Sequence, residues 1–125
     1  MLGSSPIIAF VGTTNAGRTR EFYEKTLGLT FIADEPYALV FDANGVMVRI
    51  FKIEAFTPAS YTVLGWQVID IGKTIRGLRA RGVNFERYPR LQQDEDGVWI
   101  SPSGARVAWF KDPDGNTLSL TQFAG

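Results

Sequence analysis

Phe22-Tyr23-Glu24-Lys25-Thr26-Leu27-Gly28-Leu29 closes the first helical stretch of the chain and leads into the strand that follows. Reading backward, Thr19, Phe22, Tyr23, Thr26 and Leu27 recur at i, i+3, i+4, i+7 and i+8, which is one face of a helix over 16–27. Gly28 stands where a left-handed C-cap belongs, and Asn15 is the matching N-cap candidate. Before the helix, the apolar run 7–11 (Ile-Ile-Ala-Phe-Val) reads as a buried strand, broken by Gly12-Thr13-Thr14-Asn15. After it come strands over 29–33, 37–41 and 46–53, the last two joined by the hairpin turn Asp42-Ala43-Asn44-Gly45.

The second half follows the same plan. Residues 54–62 contain Pro58, show no period and read as a linker. A strand over 63–69, a cap at Asp70 and a stripe of Ile71, Ile75 and Leu78 ending at Gly82 come next. Strand candidates then lie at 83–88, 97–101, 106–111 and 117–122, with turn chemistry at Ser101-Pro102-Ser103-Gly104 and Asp112-Pro113-Asp114-Gly115. The loop 89–96 is polar and charged, and mobility is expected there. The matching features, Asn15 with Asp70 and Gly28 with Gly82, lie about 55 residues apart, which points to an internal duplication. The class is therefore α+β: one domain over 1–125 built of two modules, 6–53 and 63–122, each a strand, a helix and further strands.

Composition removes much chemistry in advance. The chain of 125 residues is 45% hydrophobic and 21% charged, ordinary for a globular protein. Thirteen Lys+Arg balance 13 Asp+Glu, so nothing draws it electrostatically to nucleic acid or an anionic membrane. His and Cys both number zero. Disulfides, thiolate nucleophiles, imidazole acid–base chemistry, Ser-His-Asp triads and Cys/His zinc sites are excluded, and a metal would need carboxylate and carbonyl oxygens. The apolar run 7–11 is too short for a signal peptide or a membrane span, so a cytoplasmic location is expected.

Two motifs together carry a resemblance. Phe22-Tyr23-Glu24-Lys25-Thr26-Leu27-Gly28-Leu29 is similar to the signature that closes the first helix in the vicinal oxygen chelate superfamily, the group of glyoxalase I, extradiol dioxygenases and bleomycin-resistance proteins. Phe110-Lys111-Asp112-Pro113-Asp114-Gly115-Asn116 resembles its C-terminal hairpin. Both motifs report backbone geometry rather than chemistry, because Pro and Gly set backbone angles. The resemblance implies two tandem βαβββ modules whose curled mixed sheets enclose a cleft, with helices on the outer faces. It also implies a homodimer.

Metal-using members of that superfamily place His, Gln or Glu on strands facing the cleft. Carried onto this chain, those positions read Ile8, Arg49, Trp66 (after Gly65) and Ser119. Ile has no donor atom, indole offers only an N–H, guanidinium is permanently cationic and a Ser hydroxyl is a weak ligand, so no metal and no cofactor are expected. Strand alternation from these positions sends Phe10, Met47, Phe51, Val68, Thr117 and Thr121 to the same face. The resulting lining is aromatic and apolar around one cation. Trp66 is expected to stack on a planar ring or a cation, with Trp99 or Tyr61 closing over it. A charge in mid-strand needs a partner, so Arg49 must meet either a ligand or an internal carboxylate.

The expectation is a metal-independent protein, closest to the bleomycin-resistance members, that sequesters an aromatic or amphipathic, antibiotic-like and anionic molecule. The alternatives are an enzyme of the same superfamily (lyase, isomerase or dioxygenase) using Arg49 and non-His groups, and an interaction domain with its cleft filled. Arg76, Arg79, Arg81, Arg87 and Arg90 read as a solvated face, and 92–96 as an acidic loop or a gate. The carboxylate pairs Asp34-Glu35 and Asp112/Asp114 sit at turns for backbone reasons.

Overall fold

The computed structural model describes residues 1–125 and divides them into two units, Met1–Thr57 and Pro58–Gly125. In the first, β1 (Ile8–Thr13) is followed by α1 (Ala16–Glu21), β2 (Thr30–Asp34), β3 (Ala38–Ala43) and β4 (Val46–Lys52). Asn15 caps α1 by accepting the Arg18 N–H on its side chain at 3.2 Å. The helical path continues as a π turn over Phe22–Thr26, in which Leu27 N–H donates to Phe22 O at 2.9 Å, and Gly28 follows at φ +80°. A π turn takes more residues per turn, so the apolar stripe slips: Thr19 and Tyr23 are fully buried, whereas Phe22, Thr26 and Leu27 are only partly so.

The sheet order is β1-β4-β3-β2, with β1 parallel to β4 and the other pairs antiparallel. The tight turn between β3 and β4 needs left-handed backbone at two successive residues, supplied by Asn44 (φ +50°) and Gly45 (φ +90°). Contacts place α1 on one sheet face. The Thr13 and Thr19 hydroxyls share a 2.7 Å hydrogen bond, and the Tyr23 ring lies 6.0 Å from that of Phe41. Phe31 meets Phe41 edge-on and carries the Arg20 guanidinium 3.7 Å above its own ring. Val11, Phe41, Val48 and Ile50 share this covered face and are buried, each contributing roughly 1.5–3 kcal/mol.

The second unit repeats the arrangement with β5 (Leu64–Gln67), α2 (Ile71–Ala80), β6 (Trp99–Ile100), β7 (Arg106–Lys111) and β8 (Thr117–Gln122) in the order β5-β8-β7-β6, β5 running parallel to β8. Asp70 caps α2 by accepting Lys73 N–H at 3.1 Å, and the Gln122 side-chain oxygen accepts Ile71 N–H at 2.9 Å. Ile71 and Ile75 are buried on the sheet face that carries Ala108, Phe110, Leu118 and Leu120. Both units are thus open four-stranded mixed sheets, each with its helix against one face, an α+β fold.

Two expectations are corrected here. Residues 83–88 do not form a strand: Phe85 makes a single antiparallel bridge to Phe110, and Glu86 N–H donates to Trp109 O at 2.8 Å. β6 takes the start of β7 at Arg106 and Val107, and along the rest of that edge residues 83–88 meet β7 only at this one bridge. The loop 89–96, expected to be mobile, is braced. The Gln93 amide accepts Tyr88 N–H at 2.8 Å and donates to Glu86 O at 3.0 Å and Gly97 O at 2.8 Å, while Arg79 pairs with Asp96 at 2.7 Å. This loop also explains why the duplication has no single period. The caps are about 55 residues apart, but the ladder pair Phe41–Val48 corresponds to Phe110–Leu118, about 70 residues on, and the difference lies between α2 and β6.

Candidate functional site

In the first unit, pairing across β1 and β4 sets Ile8 beside Met47, Phe10 beside Arg49 and Gly12 beside Phe51. Paired residues point to the same side, so these side chains share the sheet face away from α1. Ile8, Phe10, Met47 and Phe51 are between 40% and 53% exposed there, and the Phe10 and Phe51 rings are 5.3 Å apart. Gly12 ends the patch, and the Ile53 and Phe56 side chains fill the space beside it, 2.9 and 3.5 Å from where a Cβ would stand.

Arg49 sits centrally on that face, paired with Phe10 on one side and Val40 on the other. Of the two partners expected for a mid-strand charge, the structure supplies a carboxylate from the same chain: Arg49 Nη2 donates to Glu35 Oε1 at 2.8 Å. The side chains are 26% and 46% exposed, so the pair faces the surface rather than the core. Glu35 is held by its backbone, whose N–H donates to Ala38 O at 2.9 Å and whose carbonyl accepts Lys52 Nζ at 2.8 Å. Lys52 also pairs with Asp34. The Asp34-Glu35 turn carboxylates therefore neutralise both cations of β4.

In the second unit the register corrects one placement. Gly65 pairs with Ser119, whereas Trp66 pairs with Leu120, so Trp66 lies on the face covered by α2 and its ring stacks on Phe110 at 6.4 Å and 22°. Val68, whose N–H donates to Thr121 O at 2.9 Å, follows Trp66 in the alternation. Trp66 and Val68 are therefore not companions of Ser119. A Cβ on Gly65 would approach Ser119 Oγ to 2.9 Å and Ser119 O to 3.4 Å, so a side chain there would require Ser119 to shift. The face of Ser119 also carries Gln67, Val107, Trp109, Thr117 and Thr121, with Trp99 joined to it through its pairing with Val107. Thr117 and Ser119 are buried, and the Thr117 hydroxyl donates to Ala59 O at 3.2 Å. Tyr61, 72% exposed, stands outside the strands.

Trp109 is the residue that sequence reasoning missed. Its ring lies 6.1 Å from Trp99 and 5.4 Å, edge-on, from Tyr88. The signal was present: the terminal hairpin sets Trp109 opposite Ser119, between buried Ala108 and Phe110, which face the other way. Burial, and secondarily the Glu86 carboxylate, raise the Tyr88 hydroxyl above its ordinary pKa. The arginines near α2 are not simply a solvated face, since Arg79 holds Asp96 and Arg87 donates to Glu95 O at 2.9 Å.

The chemistry of these positions does not fit a divalent cation. The first unit offers Ile8 and a guanidinium, the second a hydroxyl at Ser119 and an amide at Gln67. Hard cations require several oxygen ligands, carboxylates among them, and no group of three or more Asp and Glu gathers anywhere. No helix is long and apolar enough to cross a membrane.

Comparison with known proteins agrees with this architecture. A lactoylglutathione lyase of Arabidopsis thaliana, GLX1, is 29% identical over 119 residues, covering 84% of this chain but 39% of that protein, so the chain spans about two fifths of its length. Protein YraH of Bacillus subtilis is 27% identical over 115 residues, covering 80% of this chain and 84% of its own. A solved superfamily member from Sphaerobacter thermophilus superposes with a TM-score of 0.76 at 23% identity, covering 98% of this chain and 99% of that one. The family profile described as "Glyoxalase/Bleomycin resistance protein/Dioxygenase superfamily" matches residues 8–120. With two capped βαβββ units and this profile over nearly its whole length, the chain belongs to the glyoxalase/bleomycin resistance protein/dioxygenase superfamily.

Proposed function

We propose that the protein binds a planar aromatic or amphipathic small molecule, antibiotic-like compounds among them, without a resident metal and without transforming it. The observation that carries this reading is the apolar patch of the first sheet, where Ile8, Phe10, Met47 and Phe51 stay exposed around a single guanidinium. Exposed apolar clusters of this kind mark surfaces that bind something, because leaving them in water is unfavourable. The three-ring group of Tyr88, Trp99 and Trp109 supports the same reading, since aromatic faces stack on flat ligands. The donor set discussed above supports independence from metal. Two copies of the chain are proposed to associate, and sedimentation equilibrium tests that directly.

The reading is tested with N-phenyl-1-naphthylamine, a neutral planar dye whose fluorescence rises on leaving water. Saturable binding is expected, weakened by about 1 kcal/mol or more in Phe10→Ala. Absence of binding by the wild-type protein overturns the reading. A second reading, an enzyme of the same superfamily, rests on the likeness to the plant lactoylglutathione lyase. Turnover of lactoylglutathione followed by mass spectrometry would establish it in place of the first.

A further inference from the structure

Resting on the proposed binding role, the geometry points to Glu35 as the residue that sets which ligand charge the first sheet accepts. An unpaired Arg49 in an apolar strand face would favour anions. Here its Nη2 already donates to Glu35 Oε1 at 2.8 Å, and the two charges cancel at the centre of the patch. An incoming carboxylate or sulfonate would have to displace Glu35 or lie beside it, and a second anion at that range is repelled about as strongly as Arg49 attracts it. The main chain of Glu35 is fixed, its N–H and C=O engaged with Ala38 and Lys52 on the short turn between β2 and β3, so a carboxylate that rotates off Arg49 stays tethered beside the patch and keeps its charge there. The guanidinium keeps further N–H donors beyond the one used, and Glu35 is an acceptor 46% open to solvent. The pair thus presents donors and an acceptor side by side with no net charge. Flanked by Ile8, Phe10, Met47 and Phe51, that arrangement suits a planar ligand carrying an amide, a lactam, a urea or a zwitterion rather than a free acid.

The test compares two dyes with the same ring framework, neutral N-phenyl-1-naphthylamine and anionic 1-anilinonaphthalene-8-sulfonate. The wild-type protein is expected to prefer the neutral dye. Glu35→Gln keeps the shape and a donor–acceptor head, yet frees the charge of Arg49, so the affinity ratio should move toward the sulfonate by about three- to tenfold. Adding Arg49→Gln to Glu35→Gln should abolish that gain, and Glu35→Ala should reproduce its direction should the glutamine variant fold poorly. If both dyes bind and neither Glu35 variant moves the ratio, the assignment is wrong while the binding role stands. If neither dye binds the wild-type protein, the binding role falls and takes the assignment with it.

Discussion

Trp66 illustrates how one step along a strand decides a side chain's work. Its ring lies against Phe110 on the covered face, so it is a packing residue, whereas Trp109 stands on the face of Ser119 beside Trp99 and Tyr88. Trp66→Ala should therefore lower stability by about 2–4 kcal/mol in urea unfolding and leave affinity for the neutral dye within about twofold. Trp109→Ala should cut that affinity by about threefold or more. The opposite outcome would return Trp66 to the binding face. At Tyr88, a phenol whose pKa is raised in the folded state keeps its proton more tightly than the unfolded chain does. The associated stability is complete below the ordinary tyrosine pKa and declines as pH rises from there through the higher folded value. Thermal melts of Tyr88→Phe above about pH 10 should show a shallower alkaline decline than the wild type.

Among the elements, the β3–β4 hairpin is where local chemistry is most exacting. Gly45 at φ +90° has no side-chain neighbour to offend, so the penalty of Gly45→Ala is purely conformational. A loss of about 1 kcal/mol in urea unfolding is expected, with an unchanged denaturant slope. The caps at Asn15 and Asp70, this hairpin and the strands at 106–111 and 117–122 were legible in the amino-acid order because short-range rules govern them. What escaped depends on distant partners. Residues 83–88 look like a strand, yet they meet β7 at a single bridge, Phe85 to Phe110. In 64–68, Leu64, Trp66 and Val68 alternate with Gly65 and Gln67, a period-two pattern that sends Trp66 toward α2, against the metal position that the family resemblance implies for it. The candidate site was legible in the first unit as a shared face of Ile8, Phe10, Met47, Arg49 and Phe51. That Glu35 is the partner of Arg49 was not, because β2, β3 and the turn between them must form before the two meet.

For the molecule as a whole, the donor inventory makes a prediction about metals. Titration with Mn²⁺, Ni²⁺ or Zn²⁺ should give no saturable rise in Tm, since a ligand bound to the native state stabilises it in proportion to ln(1 + [L]/Kd). A saturable rise with any one of them would show a site that Ile8, Arg49, Gln67 and Ser119 do not explain. The ladders carry a different consequence. Every strand that pairs in the first sheet lies between Ile8 and Lys52, and its single parallel seam joins the first of those strands to the last. A nascent chain therefore has the complete set of hydrogen-bonding partners for that sheet once Lys52 has left the ribosome, before Leu64 emerges, and its apolar edge need not wait, unpaired, for the second unit.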